Sequence, residues 1–166
     1  MGELGLLGEN YELLHGYIIE KMPKSPLHEC ISQKLLMILF KSAPSTFTVR
    51  PERPLSIGDS EPEPDISVVR GVPDDWRNSH PSTAELVVEI SISSVDADLK
   101  KAEIYASANV PEYWLVRAED CEIDVFRNPV GGRYDVKETV RAGDTLVSSA
   151  IEGISVVVTD LFAVGK

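Results

Sequence analysis

Apolar residues recur along this chain at two periods, every second position and every third or fourth, and the two periods alternate. Tyr11–Leu14 and Tyr17–Lys21 carry the extended pattern of two short strands that turn at His15-Gly16. After a loop over Pro23–Pro26, residues Leu27, Ile31, Leu35, Ile38 and Leu39 recur at helical spacing to about Ser42, with Pro44 beyond the stop. Ser25 stands where that helix needs a cap, and Pro26 where it accepts a proline. Thr46–Pro54 suits a strand, Ser56–Pro64 an acidic loop and Asp65–Arg70 another strand. Gly71–Thr83, rich in Pro, Asp and Asn, reads as a surface loop. Leu86–Ser91 is a strong strand pattern. A helix is predicted from about Asp96 to Ala108, with Asn109 as its breaker. Glu112–Arg117 is a strand, and Glu122–Arg127 and Tyr134–Thr139 form a hairpin about Pro129-Val130-Gly131-Gly132. Thr145–Val147 and Ile154–Val158 are further short strands. Strands, helix, strands, helix, strands in that order predict an α/β or α+β domain with a mixed sheet.

Length and composition fit one soluble domain over residues 1–166, with 43% hydrophobic and 26% charged residues. No apolar run approaches the roughly 20 residues of a membrane span. The start Met1-Gly2-Glu3 has no basic segment or apolar core of a secretory signal, and Leu6-Leu7 follow where myristoylation wants Ser or Thr. Cys30 and Cys121 have no metal-site spacing and read as reduced structural thiols of a cytoplasmic protein. A net charge of −11 argues against a nucleic-acid partner, because affinity for nucleic acid comes from neutralising phosphate. Acids gathered in a metal site count as negative until the cation arrives, which reduces the objection. Lys21, Lys24, Lys34, Lys41, Arg50 and Arg53 also enrich the first third in cations.

The chemistry lies in strand-borne carboxylates. In Leu86–Ser91, side chains alternate, so Val87, Glu89 and Ser91 share one face. An unpaired carboxylate at Glu89, in a strand apolar on both faces, would be costly. It is either ion-paired to a buried Arg or Lys, or a metal ligand. Asp65 opens the preceding apolar strand after Pro64 and alone would be satisfied by nearby backbone amides. Two such acids could converge on one hard cation, with the Ile90 carbonyl as a third oxygen ligand. Lys101, on the following helix, shares a face with Asp98 and Tyr105 and could activate water or neutralise phosphate charge. Lys100 is its rival and points about 100° away. Tyr113 and Trp114 read as core, His28 as a capping or packing residue, and His15 and His80 as turn and loop residues.

Pro64-Asp65, Glu89-Ile90-Ser91, Lys101 with Tyr105, and Val110-Pro111-Glu112-Tyr113-Trp114-Leu115-Val116 together resemble the Uma-two family of the PD-(D/E)XK nuclease superfamily. The opening Tyr11–Met22, Ser25-Pro26 and His28 are similar too, and the likeness covers about Glu9 to Phe162. It implies a restriction-endonuclease-like fold, a central mixed β-sheet flanked by helices, with an added N-terminal hairpin and C-terminal strands. It implies a Mg²⁺ site, with Mn²⁺ as a substitute, built from Asp65 and Glu89, and a catalytic Lys101. The superfamily's usual lysine position is Ser91 here, and Ser91 and Tyr105 are possible additional site residues. Glu20, with Glu12 second, is the candidate acid from the N-terminal region. Asn109 replaces the family's common Gly, and Arg117 stands where Asp is frequent. The resemblance further implies DNA as substrate, a 5′-phosphate and 3′-hydroxyl as products, and a homodimer. Two other expectations remain open: an idle nuclease-fold interaction module, and a metal-dependent phosphatase of small phosphoesters.

Overall fold

The computed structural model describes residues 10–93 and 95–165, so the sequence readings of the first nine residues, Glu9 included, lie outside the described residues. Strand β1 (Tyr11–Leu14) pairs antiparallel with β2 (Tyr17–Glu20) as a separate two-stranded ribbon. Helix α1 (Pro26–Ser42) is capped as its sequence demands. The Ser25 side chain accepts the His28 amide at 3.2 Å, and Ile31, Leu35 and Leu39 are buried along one stripe.

The central sheet runs in the order β3 (Phe47–Pro51), β4 (Ile66–Arg70), β5 (Leu86–Ser91), β6 (Glu112–Arg117), β7 (Glu122–Val130) and β8 (Arg133–Arg141). Every neighbouring pair is antiparallel except β5–β6, which helix α2 (Val95–Ser107) connects as a parallel crossover. The helix ends at Asn109, whose φ of 56° is the left-handed conformation that a C-terminal breaker supplies. The β7–β8 hairpin is longer than its apolar pattern predicts. Gly131 and Gly132, at φ 59° and 79°, make a two-residue turn, so Pro129 and Val130 still pair with Tyr134 and Arg133. The chain closes with β9 (Thr145–Val147), β10 (Ser155–Val157) and α3 (Val158–Phe162). Extending a strand to Val158 was the expectation. That residue instead begins α3, buried against the core.

Parity in β5 divides the core in two. Val88 and Ile90 pack with Trp114, α1 and the C-terminal elements on one face. Val87 packs with Tyr113, Leu115 and residues Ile104 and Tyr105 of α2 on the other. Three cations of the first third are already engaged. Lys21 pairs with Glu63 at 2.8 Å, Lys24 pairs with Glu52, and Lys34 donates to the Ala163 carbonyl at 2.8 Å. Cys30 and Cys121 are free and exposed. Among the described residues no helix is long and apolar enough to cross a membrane.

Candidate active site

The β4–β5 pairing ends at Ile66↔Val88. One step further, where a strand residue would continue the ladder, the Asp65 carboxylate takes over. Its Oδ2 accepts the Ile90 N–H at 2.7 Å, and the Asp65 N–H donates to Glu89 Oε2 at 3.4 Å. The two acids therefore bond across each other's backbone and lie together at one end of the sheet. A residue's own N–H and C=O point to the same edge of an extended strand, so the Ile90 carbonyl faces this site as well.

Helix α2 supplies the next side chains because its buried stripe runs through Asp98, Lys101 and Tyr105. Lys101 Nζ lies 3.2 Å from Glu89 Oε1, and the Tyr105 hydroxyl donates to the same oxygen at 2.6 Å. Lys100 is exposed, which settles the choice between the two lysines as to which one reaches the acids. From α1, His28 Nε2 lies 3.2 Å from Asp65 Oδ2, while Lys24 Nζ lies 3.4 Å from Asp65 Oδ1. From β1, Glu12 reaches Lys101 at 3.0 Å. Glu20, on β2, is exposed and only borders the cleft. Ser91 is buried beside the site, and its hydroxyl has no hydrogen bond among the described residues.

Electrostatically the site is overloaded with acid. Burial pushes the Glu89 carboxyl well above its ordinary range. Lys101 pulls it down, but Asp65, Asp98 and Glu12 add to the rise. Burial also raises the Asp65 carboxyl, yet the His28 hydrogen bond and charge, the Ile90 amide and Lys24 outweigh it and hold Asp65 below its usual value. Burial alone would lower the Lys101 pKa, but Glu89, Glu12 and Asp98 raise it, so Lys101 stays charged. Burial and the Glu89 charge keep the Tyr105 phenol protonated, as a donor.

The donor set fits a hard divalent cation. Each acid keeps one weakly engaged oxygen. Asp65 Oδ1 meets only Lys24, at 3.4 Å, and Glu89 Oε2 receives only the 3.4 Å amide contact, among the described residues. Two carboxylate oxygens and a carbonyl are the ligands of a cation that retains several waters. Among the described residues no group of three or more Asp, Glu, His or Cys side chains is placed to hold a metal ion, so any cation here would rest on the two carboxylates, a backbone carbonyl and water.

Sequence reasoning brought Asp65, Glu89, Ile90, Lys101 and Tyr105 forward, and the fold gathers them. It ranked Glu20 above Glu12, and here Glu12 is the hairpin acid that meets Lys101. It assigned His28 to capping or packing and did not consider Lys24 for the site. His28 carried a usable signal: it precedes Ile31 and Leu35 by three and seven residues, which puts a polar ring on the core stripe of α1. Lys24 sits in a loop with no periodicity, so nothing local marked it.

A family model described as "Putative restriction endonuclease", the Uma2 family, matches residues 6–160, and the chain belongs to that family. Among solved structures, a "putative nuclease belonging to DUF820" from Anabaena variabilis ATCC 29413 is similar with a TM-score of 0.81 and 20% identity. It covers 96% of this chain and 94% of its own. That likeness establishes the shared fold, a mixed six-stranded sheet with helices on both faces. No curated protein matches the chain.

Proposed function

We propose that this protein is a metal-dependent nuclease that hydrolyses phosphodiester bonds in nucleic acid, DNA foremost. One observation carries the reading: Asp65 and Glu89 meet where the β4–β5 ladder stops, with the Lys101 ammonium buried against Glu89. Membership of a family described as restriction endonucleases supports it. Asp65, Glu89 and the Ile90 carbonyl would hold Mg²⁺, with Mn²⁺ as a substitute. When bound there, the cation supplies Lewis acidity towards a phosphodiester oxygen and towards water.

The remaining roles belong to the chain. The Ile90 amide and His28 fix the Asp65 carboxylate and keep it ionised for ligation. Tyr105 and Lys101 occupy Glu89 Oε1, so Oε2 would be the oxygen that holds the cation. Lys101 keeps its proton, so it acts by neutralising charge on the reacting phosphate and orienting water. A homodimer, which would bring two such sites together, belongs to the same proposal.

Calorimetric titration with Mg²⁺ and Mn²⁺ tests the cation site, and nicking of supercoiled plasmid tests the reaction. Wild type should bind one cation and gain about 2.7 kcal/mol of stability at a hundred times the dissociation constant. Asp65→Ala and Glu89→Ala should lose both the binding and the nicking. A wild-type protein that binds no cation and nicks nothing would leave only an idle, nuclease-shaped module.

A further inference from the structure

Resting on that nuclease reading, we propose that the strand cut at this site is unpaired: a single strand or an overhang, not the interior of a duplex. The first observation is depth. The side chains of Asp65, Glu89 and Lys101 are only 10%, 4% and 9% exposed. The cleft that reaches them has a volume of about 330 Å³, the scale of a small-molecule pocket. The β1–β2 hairpin walls one side of it. Glu12 bonds to Lys101 at 3.0 Å and Lys21 to Glu63 at 2.8 Å. Backbone bonds from Glu61 N–H to the Leu13 carbonyl, 2.7 Å, and from Gly16 N–H to the Asp59 carbonyl, 3.0 Å, anchor its far end. A duplex offers its phosphates on the outside of a wide cylinder, whereas a cleft of this volume beside a fixed wall is on the scale of a single nucleotide. One nucleotide, freed from its partner, passes.

The second observation is where affinity can come from. Duplex binding draws on phosphate neutralisation by free cations. Lys21 and Lys24 border the cleft but are already paired with carboxylates, and the whole chain carries −11. The hairpin offers something else. Glu12 faces Ile19 and Leu14 faces Tyr17 across the ribbon, so these four side chains share one face, the face that carries Glu12 to Lys101. Along it, Ile19 and Tyr17 run outward from the cleft, with Tyr17 72% exposed, and Met22 at the rim is 79% exposed. An apolar lip at the cleft, with an exposed aromatic ring further along the same hairpin face, suits the faces of bases. Those faces are available only when the bases are unstacked from a complementary strand, and stacking on them tolerates any sequence. One cut in one strand also needs one site, so this inference holds for the monomer.

The test compares one labelled sequence as a single strand, a blunt duplex and a duplex with overhangs, each with Mn²⁺, in deoxy and ribo forms. A small chromogenic phosphodiester serves as a reference substrate. The unpaired forms should be cut at least ten-fold faster than the blunt duplex, with scission confined to the unpaired part, and the two sugar series rank DNA against RNA. Tyr17→Ala should raise KM for the single strand about ten-fold more than for the small phosphodiester. Equal rates on the blunt duplex would overturn the proposal and leave the nuclease reading standing. An unchanged KM in Tyr17→Ala would overturn the stacking lip. Hydrolysis of the small phosphodiester alone would sink both this inference and the nuclease reading, in favour of a hydrolase of small phosphoesters.

Discussion

Glu112 and Glu89 sit on the neighbouring parallel strands β6 and β5, three residue pairs apart in register and on opposite faces of the sheet. Both are buried, at 0% and 3% exposure. Glu112 is surrounded by donors, all but one of them neutral. Its Oε1 accepts the Trp114 indole at 2.6 Å, and its Oε2 accepts the Ser149 and Ala150 amides at 2.8 and 3.0 Å and two serine hydroxyls at 3.1 Å. Arg127 completes the set at 3.5 Å. That carboxylate is a peg that ties the loop after β9 to the sheet. Glu89 has three donors, one of them distant, and shares its surroundings with Glu12, Asp65 and Asp98. Burial is common to both. What separates this structural acid from the candidate site acid is whether the protein itself satisfies the charge. At Glu112 it does; at Glu89 the neighbouring acids make the folded chain an incomplete solvent for its own carboxylate.

Swapping each acid for its amide sharpens that contrast most. Asp65→Asn or Glu89→Gln should lower kcat for nucleic-acid cleavage by on the order of 10³, about 4 kcal/mol of barrier, while the protein stays folded. Glu112→Gln should do the reverse. Its amide nitrogen turns a donor towards donors, so unfolding stability should drop by about 3 kcal/mol and the melting temperature by about 9 °C, with kcat kept in the folded protein. If Glu112→Gln melts like wild type, the peg is not what holds the loop. Lys101→Met should cost about 100-fold in kcat, and Lys100→Met, exposed one position away, less than two-fold. Tyr105→Phe removes one donor from Glu89 and should cost about ten-fold in the same assay.

The mildest test is pH, read in metal-free protein by denaturant midpoints. The Glu89 pKa is raised on folding, so its contribution is complete below the unfolded value of about 4.3 and is lost as pH rises through the folded value. Glu89→Gln should therefore gain on wild type as pH increases. The Asp65 pKa is lowered, so its contribution is present above about 3.9 and is lost as pH falls through the folded value. The deficit of Asp65→Asn should shrink at acid pH. Parallel pH curves for the two variants would contradict the opposite signs assigned to the two acids.

Much of this was legible without coordinates. Ser25-Pro26 and the stripe from Ile31 to Leu39 predict α1, and the alternation in Leu86–Ser91 predicts β5 with Glu89 on the face of Val87 and Ser91. Glu89 stands out because a charge inside an apolar pattern is costly unless something distant answers it, Asp65 because it opens a neighbouring apolar strand, and Lys101 because its helix directly follows the Glu89 strand. The misses have the same physical root. Val158 has a strand former's side chain, and its helix forms because the C-terminal segment folds back on the core.

By itself, then, the chain's order of periods specified its elements, its fold class and the acids that had to find partners, since these depend on propensities and burial costs acting over a few residues. Only the tertiary structure decided which partners they found. Glu12 rather than Glu20 reaches Lys101 because of how the β1–β2 ribbon lies over the sheet. Lys24 and His28 reach Asp65 because α1 begins beside the end of β4. Contacts between residues tens of positions apart are set by packing of whole elements, and no local pattern encodes where a loop lysine will end.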